Sequence, residues 1–390
     1  MAPTIWIDVE DFLHYFAHNP RPSGIQRFAF ELMRALIAVA GPERVRFLRR
    51  APGAEPPVRE VTWAELDAIF HHPAEPPQGA AGPALRPGDV YLVPGSPWAV
   101  PGFVETLAAL KRRYRLVTGL LVHDIIPIRR PEWTGRHGSS VFAAFIEDCL
   151  PLFDRLLANS RHTASDLEAY ARQRGLRLAS PIRPIPVGNG FGQAAPEAAP
   201  EGLPRPGSYV LVVATIEPRK NHELAVRVWR RLVDEVQAGT RSARSVPALV
   251  FAGRVGWMVG DLLQQLEYSY WLDGRVRLIR NPSDQELRQL YRGCLFTFVP
   301  SWFEGYGLPV TESLSLGKPC LASSATALPE AGGDLCRYID PGDLPAAYRA
   351  VAALIDDPAA LAAWQEQVVR EFRPVPWAES AEATLQHLAA

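Results

Sequence analysis

Residues 303–312 read FEGYGLPVTE and place one carboxylate on each side of a short glycine-rich segment. Gly305 and Gly307 allow tight backbone turns and close approach to a ligand. Pro309 suits the first position of a helix, where its missing N–H costs nothing, and Gly317 suits the position just past the helix end. The stretch therefore predicts a glycine loop followed by a helix of about two turns.

The start of this predicted helix is suited to an anion. Its first N–H groups and the positive end of its dipole face the glycine loop, and both favour a bound phosphate. Glu304 comes before the site, and Glu312 is expected in the first turn or so of the helix. Because carboxylates beside a diphosphate would repel it, we expect them to bind hydroxyl groups instead. A ligand with a central diphosphate and hydroxyl-rich groups on both sides is a nucleotide sugar.

The same stretch resembles the signature of the retaining glycosyltransferases of family 4, which have the GT-B fold and two glutamates separated by seven residues. The resemblance is specific over residues 209–345, and its segments are 213–221, 251–254, 283–287 with 290–291, 328–330 and 340–343. Over residues 1–200 it is weaker and rests on residues 23–27 (SGIQR) and on His123 with Asp124.

Short apolar runs alternate with helical patterns along the whole chain, which indicates an α/β fold with buried parallel strands. Runs that suit a first sheet are 5–9, 90–93, 116–122, 155–158 and 182–187. Runs that suit a second are 209–214, 248–252, 276–279, 296–299 and 320–323. We therefore expect two Rossmann-like, doubly wound domains, and the resemblance implies that they face a central cleft as in GT-B enzymes.

The predicted domains are an acceptor-binding domain at 1–200 and a nucleotide-sugar-binding domain at 205–375. Residues 190–207 are rich in Ala, Pro and Gly and indicate an interdomain linker. Residues 51–85, also rich in Pro and Ala, are interpreted as an insertion or long loop. The resemblance implies that the C-terminal helix, residues 376–390, joins the first domain.

Composition excludes several classes of protein. The chain has 390 residues, with 47% hydrophobic and 21% charged residues and a net charge of −1, which argues against a nucleic-acid partner. Its four cysteines lack the spacing of metal ligands. We see neither a signal peptide nor an apolar run of transmembrane length, so we expect a cytoplasmic protein. Residues 111–115 (KRRYR) are a solvated helix end or a peripheral contact with the inner face of the membrane.

Two cations follow the predicted strand 209–214. Arg219 and Lys220 lie at the carboxyl end of that strand, where α/β sheets bind ligands. They can neutralise a diphosphate and stabilise the charge that develops on it as the sugar leaves. The alternative is a pair of solvated charges at a helix start, where cations are disfavoured unless an anion is present.

The resemblance assigns the remaining donor-binding residues. It implies that Glu304 binds the donor sugar and acts in catalysis with Arg219 and Lys220, and that Glu312 binds the ribose. It places the backbone around Gly305, Tyr306, Gly307 and Leu308 beside the sugar and phosphate, with Thr215, Arg254 and Gly24 completing the donor site. Taken without the resemblance, Glu312 is a helix-dipole partner, Glu304 a loop carboxylate and Gly24 an ordinary turn residue.

His123 follows the predicted strand 116–122, and the resemblance implies that it lies under the donor sugar as a catalytic residue. The alternative is a structural histidine that Asp124 orients. No Asp-x-Asp pair stands at the end of a strand, so we expect no obligatory metal and no cofactor other than the donor nucleotide sugar as co-substrate.

The resemblance, together with these residues, thus implies a retaining glycosyltransferase for bacterial polysaccharide or glycan assembly. It would transfer a hexose, with mannose from GDP-mannose as the first hypothesis, to a saccharide or lipid-linked acceptor. Three alternatives stay open at this point: a glycoside hydrolase with Glu304 and Glu312 as its carboxylate pair, a sugar-nucleotide isomerase, and a catalytically idle GT-B binding protein.

Overall fold

A computed structural model describes residues 2–189 and 202–389, and these residues form two compact units. The first unit comprises Met1–Gly188 and Val375–Ala390, and the second comprises Asn189–Pro374. Most of the predicted linker, residues 190–201, lies outside the described residues.

The first unit is built on a seven-stranded sheet with the strand order β3-β2-β1-β4-β5-β6-β7, in which only the pairing of β2 with β3 is antiparallel within the described chain. Its strands are β1 Ile5–Asp8, β2 Val45–Arg50, β3 Val58–Val61, β4 Val90–Val93, β5 Val117–Val122, β6 Arg155–Ala158 and β7 Ile182–Pro184. The central strands are buried along their whole length, as parallel strands covered on both faces require.

Helices cover both faces of this sheet. They are α1 Glu10–Phe16, α2 Gly24–Ala40, α3 Trp63–His71, α4 Phe103–Tyr114, α5 Ile126–Arg129, α6 Arg136–Cys149 and α7 Arg161–Arg174. The C-terminal helix Trp377–Ala389 belongs to the same unit and packs against α2. Ser380 Oγ accepts a hydrogen bond from the Gly188 N–H at 2.9 Å, which ties this helix to the chain after β7.

The second unit is built on a six-stranded sheet with the order β10-β9-β8-β11-β12-β13, parallel throughout the described residues. Its strands are β8 Tyr209–Val213, β9 Ala248–Gly253, β10 Val276–Arg280, β11 Thr297–Val299, β12 Cys320–Ser323 and β13 Arg337–Ile339. One large core cluster, with Trp229 and Phe251 fully buried, fills the space between this sheet and its helices.

The helices of the second unit are α8 His222–Gln237, α9 Gly260–Tyr268, α10 Tyr270–Gly274, α11 Asp284–Gly293, α12 Leu308–Ser315, α13 Leu328–Gly332, α14 Leu344–Asp356 and α15 Pro358–Glu371, and the C-terminal helix of the first unit is α16. Local sequence fixes several of these starts. Ser283 and Glu286, for example, form a reciprocal capping box at α11. The short α10 is a turn at positive φ rather than a right-handed helix.

The predicted fold class, two doubly wound α/β domains, is confirmed, but three strands were missed. β2 and β3 flank a polar turn, and β13 has only three residues, so none gives a long apolar run. The interpretation of residues 51–85 as a loop is wrong, because they contain β3 and the helix α3, whose start is fixed by a capping box of Thr62 and Glu65. Among the described residues, no helix is long and apolar enough to cross a membrane.

Candidate functional site

The topology of the second sheet marks one point as the natural ligand site. From β8 the chain moves outward through β9 to β10, and β11 then returns to the other side of β8. In such sheets, ligands bind beyond the carboxyl ends of the strands, where the strand order reverses. Here that point lies between the segments that follow β8 and β11, and these segments carry Arg219, Lys220 and Glu304.

Four charged side chains meet at this point. Lys220 Nζ lies 2.6 Å from Glu304 Oε1, and Arg219 Nη1 lies 2.8 Å from Glu304 Oε2. Arg219 Nη2 lies 2.6 Å from Glu217 Oε1. The side chains of Glu217 and Glu304 are only 4% and 7% exposed, while Lys220 and Arg219 are 12% and 20% exposed. The two cations therefore form the more accessible part of a nearly buried charge cluster.

The two cations keep Glu304 ionised. Burial alone would raise the pKa of Glu304, but Lys220 and Arg219 outweigh it and lower that pKa to about 2. Burial and the adjacent Arg219 lower the pKa of Lys220, while the carboxylates oppose this effect. Glu304 is therefore an anion at neutral pH and cannot donate a proton there.

Backbone contacts hold the two segments of the cluster together. The Trp302 N–H donates to the Arg219 carbonyl at 2.9 Å, and Arg219 Nη1 donates to the Phe303 carbonyl at 2.8 Å. The Asn221 side chain donates to the carbonyls of Pro300 and Pro341, both at 3.1 Å. Asn221 also adopts a left-handed conformation, with φ of 55°, at the start of α8. These contacts fix the Arg-Lys turn before any ligand arrives, which is the preorganisation that charge stabilisation needs.

The glycine loop and helix α12 follow Glu304 of the charge cluster directly in the sequence. Gly307 has φ of 113° and caps α12, and an added Cβ would lie 2.7 Å from Leu328 Cδ2, so this position requires glycine. The helix begins at Leu308, one residue earlier than predicted, and ends before Gly317. The predicted short helix that ends before Gly317 is therefore present, with Tyr306 half-buried and Gly305 buried just before its start.

Glu312 lies in the second turn of α12 rather than in the first turn. The hydroxyl of the buried Tyr291, on α11, donates to Glu312 Oε2 at 2.7 Å. This hydrogen bond fixes the orientation of the Glu312 carboxylate. The residue itself is half-buried. One oxygen of the Glu312 carboxylate is therefore fixed by Tyr291 on the neighbouring helix.

Thr215 and Arg254 lie on neighbouring segments beyond β8 and β9. Between them the Ile216 N–H donates to the Arg254 carbonyl at 2.8 Å, and the Gly256 N–H donates to the Ile216 carbonyl at 2.9 Å. A Cβ at Gly256 would lie 2.8 Å from the Ile216 carbonyl oxygen, so the contact needs glycine. Thr215 is half-buried and Arg254 is exposed. Both follow the carboxyl ends of their strands, as the charge cluster does.

The remaining predicted site residues, Gly24 and His123, belong to the first unit. Gly24 is the first residue of α2, and Ser23 caps that helix by accepting from the Ile25 N–H. His123 follows β5, is buried, and its Nε2 lies 2.8 Å from the Pro94 carbonyl oxygen. Burial lowers the pKa of His123, so its ring is neutral at pH 7. The roles assigned to Gly24 and His123 stay predictions.

The first unit has a different set of charges at the corresponding point of its sheet, between β1 and β4. Asp8, the last residue of β1, accepts a hydrogen bond from the hydroxyl of Tyr91 on β4 and another from the Glu10 N–H. Burial raises the pKa of Asp8 to about 7. Asp11 accepts from the Ser96 N–H at 2.8 Å, and Gly95 leaves the space that its carboxylate occupies.

Three contributors to the site were missed at the level of sequence: Glu217, Asn221 and Tyr291. Glu217 stands two residues before Arg219, and an acidic residue so close to a predicted anion site was a signal for an ion pair. The left-handed Asn221 and the bond from Tyr291 depend on tertiary contacts and left no local signal. Among the described residues, no group of three or more His, Cys, Asp and Glu side chains is arranged to hold a metal ion.

Comparison with known proteins connects this geometry to a family. Residues 196–370 match the family model for glycosyl transferases group 1, and this range contains the whole charge cluster. A 138-residue segment is 35% identical to the O-antigen chain mannosyltransferase B of Escherichia coli and covers 35% of this chain and 34% of that protein. The D-inositol 3-phosphate glycosyltransferase 1 of Catenulispora acidiphila is 26% identical over 93% of this chain and 89% of its own length.

The chain spans only 33% to 45% of the length of four Escherichia coli mannosyltransferases that it matches. Among solved structures, Anabaena HepE, crystallised with UDP and glucose, superposes with a TM-score of 0.62 over 99% of both chains at 16% identity. That likeness shows the fold. Together, the two Rossmann-like domains and these matches support a glycosyltransferase of the GT-B fold.

Proposed function

We propose that this protein is a retaining glycosyltransferase of family 4 that moves a hexose from a nucleoside-diphosphate sugar to a saccharide or lipid-linked acceptor. The observation that carries the proposal is the contact of Arg219 and Lys220 with Glu304 at the switch point of the second sheet. Cations held in place there suit a diphosphate, and a carboxylate that is ionised at neutral pH suits sugar hydroxyls.

In this proposal each group has one task. Arg219 and Lys220 stabilise the negative charge that grows on the diphosphate as the sugar leaves. The N-terminus of α12 adds backbone N–H groups with the favourable end of the helix dipole. Glu312, oriented by Tyr291, accepts hydrogen bonds from the ribose hydroxyls. Attack occurs on the face that the diphosphate leaves, and a phosphate oxygen takes the acceptor's proton, so the sugar keeps its anomeric configuration.

Mannose from GDP-mannose is our first choice of donor. The chain is similar to O-antigen chain mannosyltransferase B and to serotype-specific mannosyltransferases, which favours a mannosyl donor and a role in bacterial polysaccharide or glycan assembly. With a lipid-linked acceptor, the reaction would take place in the cytoplasm at the inner face of the membrane. Arg112 and Arg115 are exposed and could make such a contact, whereas Arg113 pairs with Glu55 and Lys111 binds Asp154 at 2.7 Å.

A glycoside hydrolase that uses Glu304 and Glu312 is disfavoured by the charge cluster. A hydrolase needs one carboxylic acid that still holds its proton near neutral pH, which requires a raised pKa. The pKa of Glu304 is instead lowered to about 2, so Glu304 cannot be that acid, and the two cations beside it have no evident task in a hydrolase.

The test is a thermal-shift screen of nucleotide sugars, because a ligand that binds only the folded protein raises its melting temperature. GDP-mannose, GDP-fucose, UDP-glucose and UDP-N-acetylglucosamine are compared in excess EDTA, followed by transfer assays on an acceptor panel. We expect stabilisation by one nucleotide sugar, undiminished by EDTA because the protein's own cations face the phosphates. Stabilisation by none of them, with no transfer, would contradict the proposed function. A requirement for Mg²⁺ would contradict only the metal-free donor site.

A further inference from the structure

Glu304 holds both of the cations that the proposed function assigns to the diphosphate. One carboxylate oxygen contacts Lys220 Nζ at 2.6 Å and the other contacts Arg219 Nη1 at 2.8 Å. The carboxylate is 7% exposed, so water screens these contacts little. Charge-assisted bonds of this length are among the strongest hydrogen bonds in proteins.

The proposed function gives Glu304 two sets of partners. Its carboxylate should accept hydrogen bonds from the sugar hydroxyls, while Arg219 and Lys220 should turn to the phosphates. A carboxylate that stays on the cations offsets the charge that a diphosphate would meet. A carboxylate that turns to the sugar exposes that charge. Sugar binding and diphosphate binding at this site are therefore coupled through one side chain.

We infer that Glu304 determines the preference of the site for the sugar-bearing nucleotide over the spent nucleoside diphosphate. Hydroxyls of the donor sugar draw the carboxylate away from Arg219 and Lys220, which then bind the phosphates at full strength. After transfer the sugar is gone, the carboxylate returns to the cations, and the diphosphate is released. This inference rests on the proposed function and adds a product-release role to Glu304.

Glu217 supplies the matched comparison. It is as buried as Glu304, carries the same charge and contacts Arg219 at 2.6 Å, but its ion pair is with the other terminal nitrogen of that guanidinium. It precedes the cations, whereas Glu304 lies on the segment that leads to the glycine loop. Glu217 should therefore hold Arg219 in place throughout, and removing its charge should affect both nucleotides equally.

The coupling predicts a change in a ratio of affinities. In the wild type, the dissociation constant of the free diphosphate divided by that of the donor should be large. Glu304→Gln keeps the shape of the side chain but removes the competing charge. It should bind the free diphosphate at least about fivefold more tightly, as expected for a typical coupling between sites. The same variant should lose most of its preference for the donor.

The experiment is calorimetric titration of the full chain with GDP and GDP-mannose, or with the nucleotide pair that the donor screen selects. Wild type, Glu304→Gln and Glu217→Gln are compared, and stopped-flow kinetics gives the rate of GDP release. We expect tighter GDP binding, slower release and a reduced ratio in Glu304→Gln, with the ratio in Glu217→Gln within about twofold of the wild type. An unchanged ratio in Glu304→Gln, or an equal change in Glu217→Gln, would overturn the inference.

A second measurement avoids any folding defect of the variants. Wild-type protein is titrated with deoxymannose analogues of the donor, each lacking one hydroxyl. At least one analogue should bind no more tightly than GDP, and if all bind like the parent donor, the inference is wrong. If the wild type binds no nucleotide at all, it is the proposed function that fails. Nucleotide binding with an unchanged ratio instead leaves the proposed function intact and removes only the role of Glu304 in release.

Discussion

Each of the two sheets has a buried carboxylate at its switch point, and the pKa values of these two carboxylates are shifted in opposite directions. In the second unit, Glu304 contacts two cations and its pKa is lowered to about 2. In the first unit, Asp8 contacts the neutral hydroxyl of Tyr91, and burial raises its pKa to about 7. The strand order makes a switch point in each sheet, but the neighbouring side chains decide which ligand suits it. Cations at the second point suit a diphosphate, whereas the carboxylate at the first point contacts a neutral hydroxyl.

Removal of Lys220 should have the largest effect. Lys220→Ala takes away a preorganised charge next to the proposed diphosphate, which should lower turnover by about 3–4 kcal/mol, or two to three orders of magnitude. Turnover is measured at saturating donor, with circular dichroism to check folding. Lys318→Ala is the matched control, because Lys318 lies in the same unit and its ammonium group lies 3.5 Å from Gln365 Oε1, outside the charge cluster. Near-normal turnover in Lys220→Ala would show that this lysine does not stabilise the diphosphate.

The contrast between the two carboxylates predicts a difference in the pH dependence of stability. Asp8 keeps its proton up to about pH 7 when folded, but the unfolded chain loses it near the ordinary value of 3.8. Between these values the folded state binds more protons, so the free energy of unfolding falls as pH rises. From about pH 5 to 7 the loss should be about 2–3 kcal/mol. Asp8→Asn should abolish this contribution.

Glu304 should behave in the opposite way. Its folded pKa of about 2 lies below the unfolded value, so its stabilisation is complete at pH 5 and is lost only as pH falls toward 2. Chemical denaturation at several pH values gives the difference between each variant and the wild type. That difference should change from pH 5 to 7 for Asp8→Asn and stay constant for Glu304→Gln. The same pH dependence in both variants would contradict the opposite pKa shifts of the two carboxylates.

His123 tests whether the first unit takes part in transfer. His123→Ala should slow transfer by about 2 kcal/mol, roughly thirtyfold, as expected when a buried polar contact is lost. Nucleotide affinity should stay nearly intact, because every residue proposed to bind the nucleotide lies in the second unit except Gly24. Titration of the nucleotide and steady-state transfer rates are measured on the same preparation. Full activity would return His123 to a structural role based on its bond to the Pro94 carbonyl.

Glu312 should have the smallest effect of these residues, and its effect should be on binding. Glu312→Ala should weaken the binding of free nucleoside diphosphate and of donor alike, by about 1.5 kcal/mol or roughly tenfold. Tyr291→Phe removes the bond that orients Glu312 and should give part of this loss. Unchanged calorimetric affinity for the free diphosphate in Glu312→Ala would show that the carboxylate does not bind the ribose.

Much of this architecture could be predicted because its signals are local. The buried parallel strands are apolar runs, and residues 303–317 carry the glycines and proline that define the loop and α12. The edge strand β3 was missed because only the two end residues of Val58–Val61 are buried and the strand follows a polar turn. The pairing of Glu304 with both cations could not be predicted either, since it joins residues 84 and 85 positions apart. The sequence predicted these side chains as site residues, and the structure adds that they contact one another.

The central claim is transfer of a sugar with retention of its anomeric configuration. The most direct measurement is proton NMR of the product formed from an α-linked nucleotide sugar and an accepted saccharide, with the anomeric coupling and shift assigned during the first turnovers. The account predicts an α-linked product that appears only when the acceptor is present. A β-linked product would contradict the retaining mechanism, and release of free sugar at the same rate without acceptor would contradict glycosyl transfer itself.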